Sequence, residues 1–191
     1  MLTRLIRKRS AGLALAGRIR DGAINDTIES TTVPMLKLAV AIIEDIGATD
    51  SPEYVDFVTN VAEYTKKNSI AFEHYRAALK IYTEHPTRGF GLGLAAIWFS
   101  GRLGKAGNFA ECARWFEVAA DFTVTHPGAT YRDIYNEHGF EFYVPALEAI
   151  GRHDEAAKWR QWETKHDQSG KHVEAKEFAA AWAEHRKSCV K

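Results

Sequence analysis

The strongest constraint on this chain is a helical pattern that occurs twice, 41 residues apart. Ala71, Tyr75, Ala78 and the turn His85-Pro86 recur as Cys112, Phe116, Ala119 and His126-Pro127. A small residue, an aromatic four positions on and a second small residue three further on share one face of an α-helix. The small side chains let a partner helix approach closely, and the aromatic fills the space between them. A period of about 40 residues is that of stacked α-hairpins, whose apolar faces are buried only against neighbouring units. The expected fold is therefore all-α, a right-handed stack of antiparallel helical hairpins of the tetratricopeptide-like α-solenoid kind. Such surfaces bind other proteins far more often than they carry out chemistry.

The composition supports a packed core: 46% of the 191 residues are hydrophobic and 12% are aromatic, which argues against disorder. No apolar run approaches the roughly 18 residues that a bilayer span requires. The richest stretch, Leu92 to Phe99, is bounded by Gly91 and Arg102. No transmembrane helix is expected, and any membrane association would be peripheral.

Charge is zero in sum but uneven along the chain. Arg4, Arg7, Lys8, Arg9, Arg18 and Arg20 precede the first acid, Asp21, which leaves 19 basic against 25 acidic residues in the remainder. An acidic body argues against a broad nucleic-acid surface, because phosphate binding needs clustered Lys and Arg. Protein partners with basic or apolar patches fit better. At the N-terminus, Leu2, Leu5, Ile6, Leu13 and Leu15 interleave with the arginines, and Thr3 and Ser10 add hydroxyls. An Arg-rich, acid-free amphipathic start has the character of a mitochondrial transit peptide. The other reading is a basic tail that meets an acidic lipid surface or a partner.

Helix signals punctuate the rest. A helix is expected from Pro34, a good first helical residue, to a stop at Gly47, and another from the cap Ser51-Pro52-Glu53 to about Lys66. Further helices are expected over 69–84, up to Lys105, over 109–125, over 131–150 with a kink at Pro145, over 153–165 and over 173–189. Gly107-Asn108 and Gly151 mark turns. Together these give about eight helices. Residues 1–33 form an N-terminal basic segment and candidate presequence, 34–168 a helical repeat domain, and 169–191 a C-terminal helical extension.

Candidate chemistry is sparse. Gly89, Gly91 and Gly93 follow no strand, lack the last glycine of a dinucleotide loop and precede no Lys-Ser/Thr, so they read as a flexible interhelical loop. The eight histidines include no His-Glu-x-x-His, and no pair four apart has a nearby third ligand. His85 and His126 stand at equivalent repeat positions, where a histidine can meet the last carbonyls of a helix. Cys112 and Cys189 form no CxxC pair, and Cys112 is expected to be a packing residue. Glu137, His138 and Glu141 share a helical face but mark no pocket. No catalytic residue, cofactor site or metal site is assigned. Among Trp98, Trp115, Trp159, Trp162 and Trp182, the pair Trp159 and Trp162 on a charged helix is the best candidate for an exposed interface anchor.

Phe109-Ala110, Arg114, Glu117-Val118 and Asp121 resemble the central helix of the cytochrome c oxidase subunit Va family, subunit VI in yeast. Upstream, Tyr54, Asp56, Tyr64, Lys67, Ile70 and Arg76 follow that family's order. Downstream, Ile134-Tyr135 and the run from Pro145 to Gly151 resemble its Ile-Tyr and Pro-x-Leu-x-x-Leu-Gly elements. The resemblance covers about residues 49–151 and rests on collinearity. Asn68 replaces a helix-starting proline and Glu73 a tryptophan, and the 85–93 loop has no counterpart. The resemblance implies a nuclear-encoded, non-catalytic structural or regulatory subunit of mitochondrial cytochrome c oxidase (complex IV). Such a subunit carries no haem or copper and sits peripherally on the matrix side of the inner membrane. Its partners would be the catalytic core and neighbouring small subunits. The alternative is a tetratricopeptide-like adaptor, or an accessory subunit of another mitochondrial complex such as ATP synthase or the ribosome.

Overall fold

The structure, a computed structural model, describes residues 2–25, 29–49, 51–84, 90–125, 140–167 and 175–189. These residues are all-α, with helices that pack mainly against their neighbours in sequence. The chain clusters into two compact units, Met1–Gly91 and Leu92–Lys191, so the division falls inside the 34–168 stretch.

The first unit contains α1 (Leu2–Asn25), α2 (Glu29–Asp45), α3 (Pro52–Tyr64) and α4 (Asn68–Glu84), each packed on the next. The basic N-terminal segment is thus a long helix built into a core. Its inward face carries small residues, with Leu13 and Ile19 packed beside them. A Cβ on Gly12 would meet Ile46 Cδ1 at 2.7 Å, and Ala16 and Ala23 are fully buried. Ala16 joins Ala39, Ile43, Ala48 and Phe57 in one cluster, while Ala23 joins Leu36 and Val61 in a second. Helix α2 begins ahead of Pro34, which lies inside it. The Thr32 hydroxyl, buried in this earlier turn, donates to the Ala23 carbonyl at 3.4 Å and ties the start of α2 to the end of α1.

Local chemistry sets the other boundaries. Gly47, at φ 65°, ends α2 with bonds from Gly47 N to Glu44 O and from Ala48 N to Ile43 O, both 3.0 Å, the paired pattern of a glycine C-cap. The Ser51 hydroxyl accepts from Tyr54 N at 3.2 Å, with Pro52 at the first turn of α3. Across the α3–α4 hairpin, the Tyr75 hydroxyl donates to Glu63 and the Tyr82 hydroxyl to Asp56 at 3.1 Å.

The second unit contains α5 (Phe90–Lys105, which crosses the division), α6 (Phe109–Thr125), α7 (Phe140–Ala149), α8 (His153–Asp167) and α9 (Ala175–Cys189). Gly107 and Gly151, at φ 77° and 82°, repeat the glycine cap between α5 and α6 and between α7 and α8. Gly91 and Gly93 were expected in a flexible loop, but they lie inside α5. The reason is a close approach: a Cβ on Gly93 would stand 3.0 Å from the Phe122 ring. Gly104 serves α7 in the same way, its missing Cβ leaving room for Phe142. Pro145 falls inside α7, whereas 131–139 of the expected helix lies outside the described residues.

Both copies of the repeated pattern do the same work. Ala71, Tyr75, Ala78, Cys112, Phe116 and Ala119 are all fully buried. The His85-Pro86 and His126-Pro127 turns lie outside the described residues. Helix α9 also packs back on α6, a contact between helices distant in sequence.

Candidate functional site

The densest feature of the second unit grows around Phe116, the aromatic of the second repeat. Tyr143 of α7 stacks on it, with centroids 4.2 Å apart and planes at 18°. Phe140, Phe178 and Trp182 meet its ring at 5.9, 6.3 and 5.8 Å, all edge-on. Helices α6, α7 and α9 are joined through this one side chain. Trp159 of α8 extends the cluster, stacking on Trp182 at 5.4 Å and on Phe178 at 5.9 Å.

Trp159 is 3% exposed, so the residue expected as an exposed anchor is a core residue. Trp162 is half-buried and packs edge-on to Trp159 at 5.8 Å. The helix reads as charged because its apolar partners come from other helices, Phe140 of α7 and Phe178 and Trp182 of α9. Trp115 is also buried, against Phe99 at 5.9 Å, and Trp98 is half-buried. The indole N–H groups of Trp115 and Trp159 are buried without a hydrogen-bond partner among the described residues.

A polar network clamps the edge of this cluster. On α6, Glu117 accepts from Arg152 Nη1 at 2.5 Å and from the Tyr143 hydroxyl at 3.4 Å. One turn on, Asp121 accepts from Trp182 Nε1 at 2.7 Å and from Arg186 Nη2 at 2.8 Å. Arg152 also forms a two-pronged pair with Glu155, both bonds 2.6 Å, and His185 Nε2 lies 3.1 Å from the second Glu155 oxygen. Two acids at i and i+4 on a largely apolar helix are a sequence signal for such a clamp, and it was missed.

Burial, and then the Glu117 charge, holds the Tyr143 hydroxyl protonated well above its ordinary range. The Arg152 hydrogen bonds hold Glu155 below the usual carboxylate value, and the same bonds keep Arg152 firmly charged. His185 is pushed below the ordinary histidine value, because burial outweighs the pull of Glu155. The imidazole therefore takes up its proton at lower pH than a free histidine does.

Helices α8 and α9 leave a recess of about 360 Å³, lined by Lys158, Trp159, Trp162, Ala181, Glu184 and His185. Two indoles and an alanine make it apolar, and a lysine and a glutamate mark its rim. It can accept one aromatic or aliphatic side chain of a partner. Beside it, Glu155 is paired with Arg152, and Glu184 with Lys187 at 3.3 Å.

The remaining candidates separate. Cys112 is buried, with its thiol 3.5 Å from Ser100 Oγ, and burial raises its pKa, so it packs as expected. Glu141 is exposed, while Glu137 and His138 lie outside the described residues. No cluster of three or more His, Cys, Asp or Glu is arranged to hold a metal among the described residues. No helix among them is long and apolar enough to cross a membrane. No protein-family model matches this chain, and no curated protein matches it in sequence.

Proposed function

We propose that this chain is a non-catalytic structural subunit of mitochondrial cytochrome c oxidase, akin to subunit Va and docked on the matrix side of the inner membrane. The observation that supports the reading is the collinear series in the sequence from Tyr54 to Gly151, whose members follow the family's order; of these, Ile134-Tyr135 lie outside the described residues. The finer architecture belongs to the proposal too: a right-handed, tetratricopeptide-like stack whose outer surfaces meet the catalytic core and small subunits. Two matched residues, Glu117 and Asp121, anchor α8 and α9 in this chain, so the C-terminal extension is keyed to the part that resembles the family. Electron transfer and proton pumping would belong to the partners.

The Arg-rich start supplies the mitochondrial address. Because Ala16 and Ala23 complete the core of the first unit, the address is retained after import in this reading. Depletion of the protein, followed by native-gel and activity assays of complex IV, tests the assignment. Loss of assembled oxidase is expected, and normal assembly with normal activity overturns it.

A second reading draws on the recess beside Trp162, which fits a side chain of a peptide partner. An adaptor, or an accessory subunit of ATP synthase or the ribosome, would use it so. Co-purification with one of those assemblies in place of complex IV decides for this reading.

A further inference from the structure

We propose that the outer face of α1 binds the surface of an anionic phospholipid bilayer, an inference independent of the oxidase assignment. With a turn of 100° per residue, positions 4, 7, 8, 11, 15, 18 and 22 of α1 share one stripe. Lys8, Ala11, Leu15, Arg18 and Gly22 are all exposed on it, and Arg4 and Arg7 hold two more of its backbone positions. Leu15 is 43% exposed, a large apolar side chain set between two cations. No acid interrupts the stripe, and Asp21, at its flank, is bound to the neighbouring Arg20 at 2.8 Å.

The cations are not there for the helix itself. The positive end of the helix dipole lies at the N-terminus, where acids stabilise and bases destabilise. The first turn of α1 holds no acid, and Arg4, Arg7, Lys8 and Arg9 crowd the unfavourable end. Lys8 and Arg18 form no ion pair among the described residues. Nor does the stripe help packing, since Gly12, Ala16 and Ala23 on the opposite face perform that task. Exposed Lys8 and Arg18 on a stripe that holds no acid make this face of α1 positive, and a negatively charged surface is its electrostatic complement.

The length favours a lipid surface over a protein. A helix of 24 residues is about 36 Å long, and the stripe spreads its charge along it. Anionic headgroups offer diffuse charge along that length, and Leu15 can enter the boundary between headgroups and acyl chains. One leucine and a few cations give weak, reversible attachment in the plane of the surface.

The full chain, mixed with neutral phosphatidylcholine vesicles or with vesicles carrying roughly one-third phosphatidylglycerol, tests this by co-sedimentation. Binding to the anionic vesicles alone, weakening as salt rises, is expected. Each surface cation is worth about 5-fold in partitioning, so Lys8→Ala with Arg18→Ala should lower it by about 25-fold, and Leu15→Ala should lower it further. All three positions are exposed, and circular dichroism checks that the variants stay folded. Lys80→Ala with Lys165→Ala removes the same charge elsewhere and should leave binding within about 2-fold if the α1 face is the site. The proposal is overturned by equal binding to both vesicle types, by no binding to either, or by undiminished binding of the α1 variant. Capture by immobilised polyglutamate with vesicles left unbound overturns it in favour of an acidic protein.

Discussion

The two units use one helical pattern in different chemical ways. In the first, the central aromatic is Tyr75, which fills the hairpin and spends its hydroxyl on Glu63 of the neighbouring helix. The core clusters of this unit are largely small and aliphatic: Ala16, Ala39, Ile43 and Ala48 with the aromatic Phe57 in one, Ala23, Leu36 and Val61 in the next. In the second, the equivalent position is Phe116, which has no polar atom. Polar linkage there passes to Glu117 and Asp121 on the same helix, and the ring becomes the hub of an aromatic cluster. A single oxygen at one repeat position thus separates a hairpin that locks itself from one that recruits two further helices.

The largest expected difference comes from emptying the hub. Phe116→Ala removes a fully buried ring that joins three helices and should cost about 3–5 kcal/mol in the second unit. Tyr75→Phe keeps the ring in the first unit and loses one bond to an exposed carboxylate, at a cost of about 1 kcal/mol. All five tryptophans lie in the second unit, so their fluorescence during urea unfolding reports that unit, while far-ultraviolet circular dichroism reports both. A Phe116→Ala variant that unfolds at the wild-type urea concentration by fluorescence would remove the hub from the comparison.

The clamp is worth less. Asp121→Ala leaves the buried Trp182 N–H without its acceptor and releases Arg186, for a loss of about 1–3 kcal/mol. Asp121 is itself partly exposed, which places the effect toward the lower end. Trp182→Phe deletes the donor instead, so a double-mutant cycle isolates the bond from the packing. If the two losses simply add, the bond is not coupled and the clamp does not hold α9.

What could be read from the sequence was set by chemistry within a turn or two. The stops at Gly47, Gly107 and Gly151 and the start at Ser51-Pro52 depend on local φ angles and hydrogen bonds, and they stand where the residues placed them. Burial of the repeated small–aromatic–small pattern follows from a single helical face. The misread parts depend on distant residues. Trp159 looked exposed because Phe178 and Trp182, which cover it, lie on α9. Gly93 looked like a loop residue because Phe122, which needs the space, is on the next helix. The packing role of α1 was hidden by its arginines, although its closest contacts are made by Gly12, Ala16 and Ala23, with Leu13 and Ile19 beside them.

The smallest expected effect distinguishes the units by pH. Burial lowers the pKa of His185, more than Glu155 and Glu117 raise it, with Arg152 and Lys158 adding to the fall. The unfolded chain then takes up a proton near pH 6.5 and the folded chain only at lower pH. Between those values the unfolded state holds more protons, so stability falls as pH drops below about 6.5. Glu155 acts in a lower window: Arg152 depresses its pKa, so its contribution is present above about 4.5 and is lost as pH falls through the folded value. Tryptophan-monitored unfolding should therefore weaken in two stages on acidification, and His185→Gln should flatten only the upper one. His74 in the first unit is also lowered, by burial and by Lys37, so circular dichroism of the same variant should keep an upper-stage acid response that fluorescence has lost. A fluorescence profile that His185→Gln leaves unchanged between pH 7 and about 5 would assign the upper stage to another group.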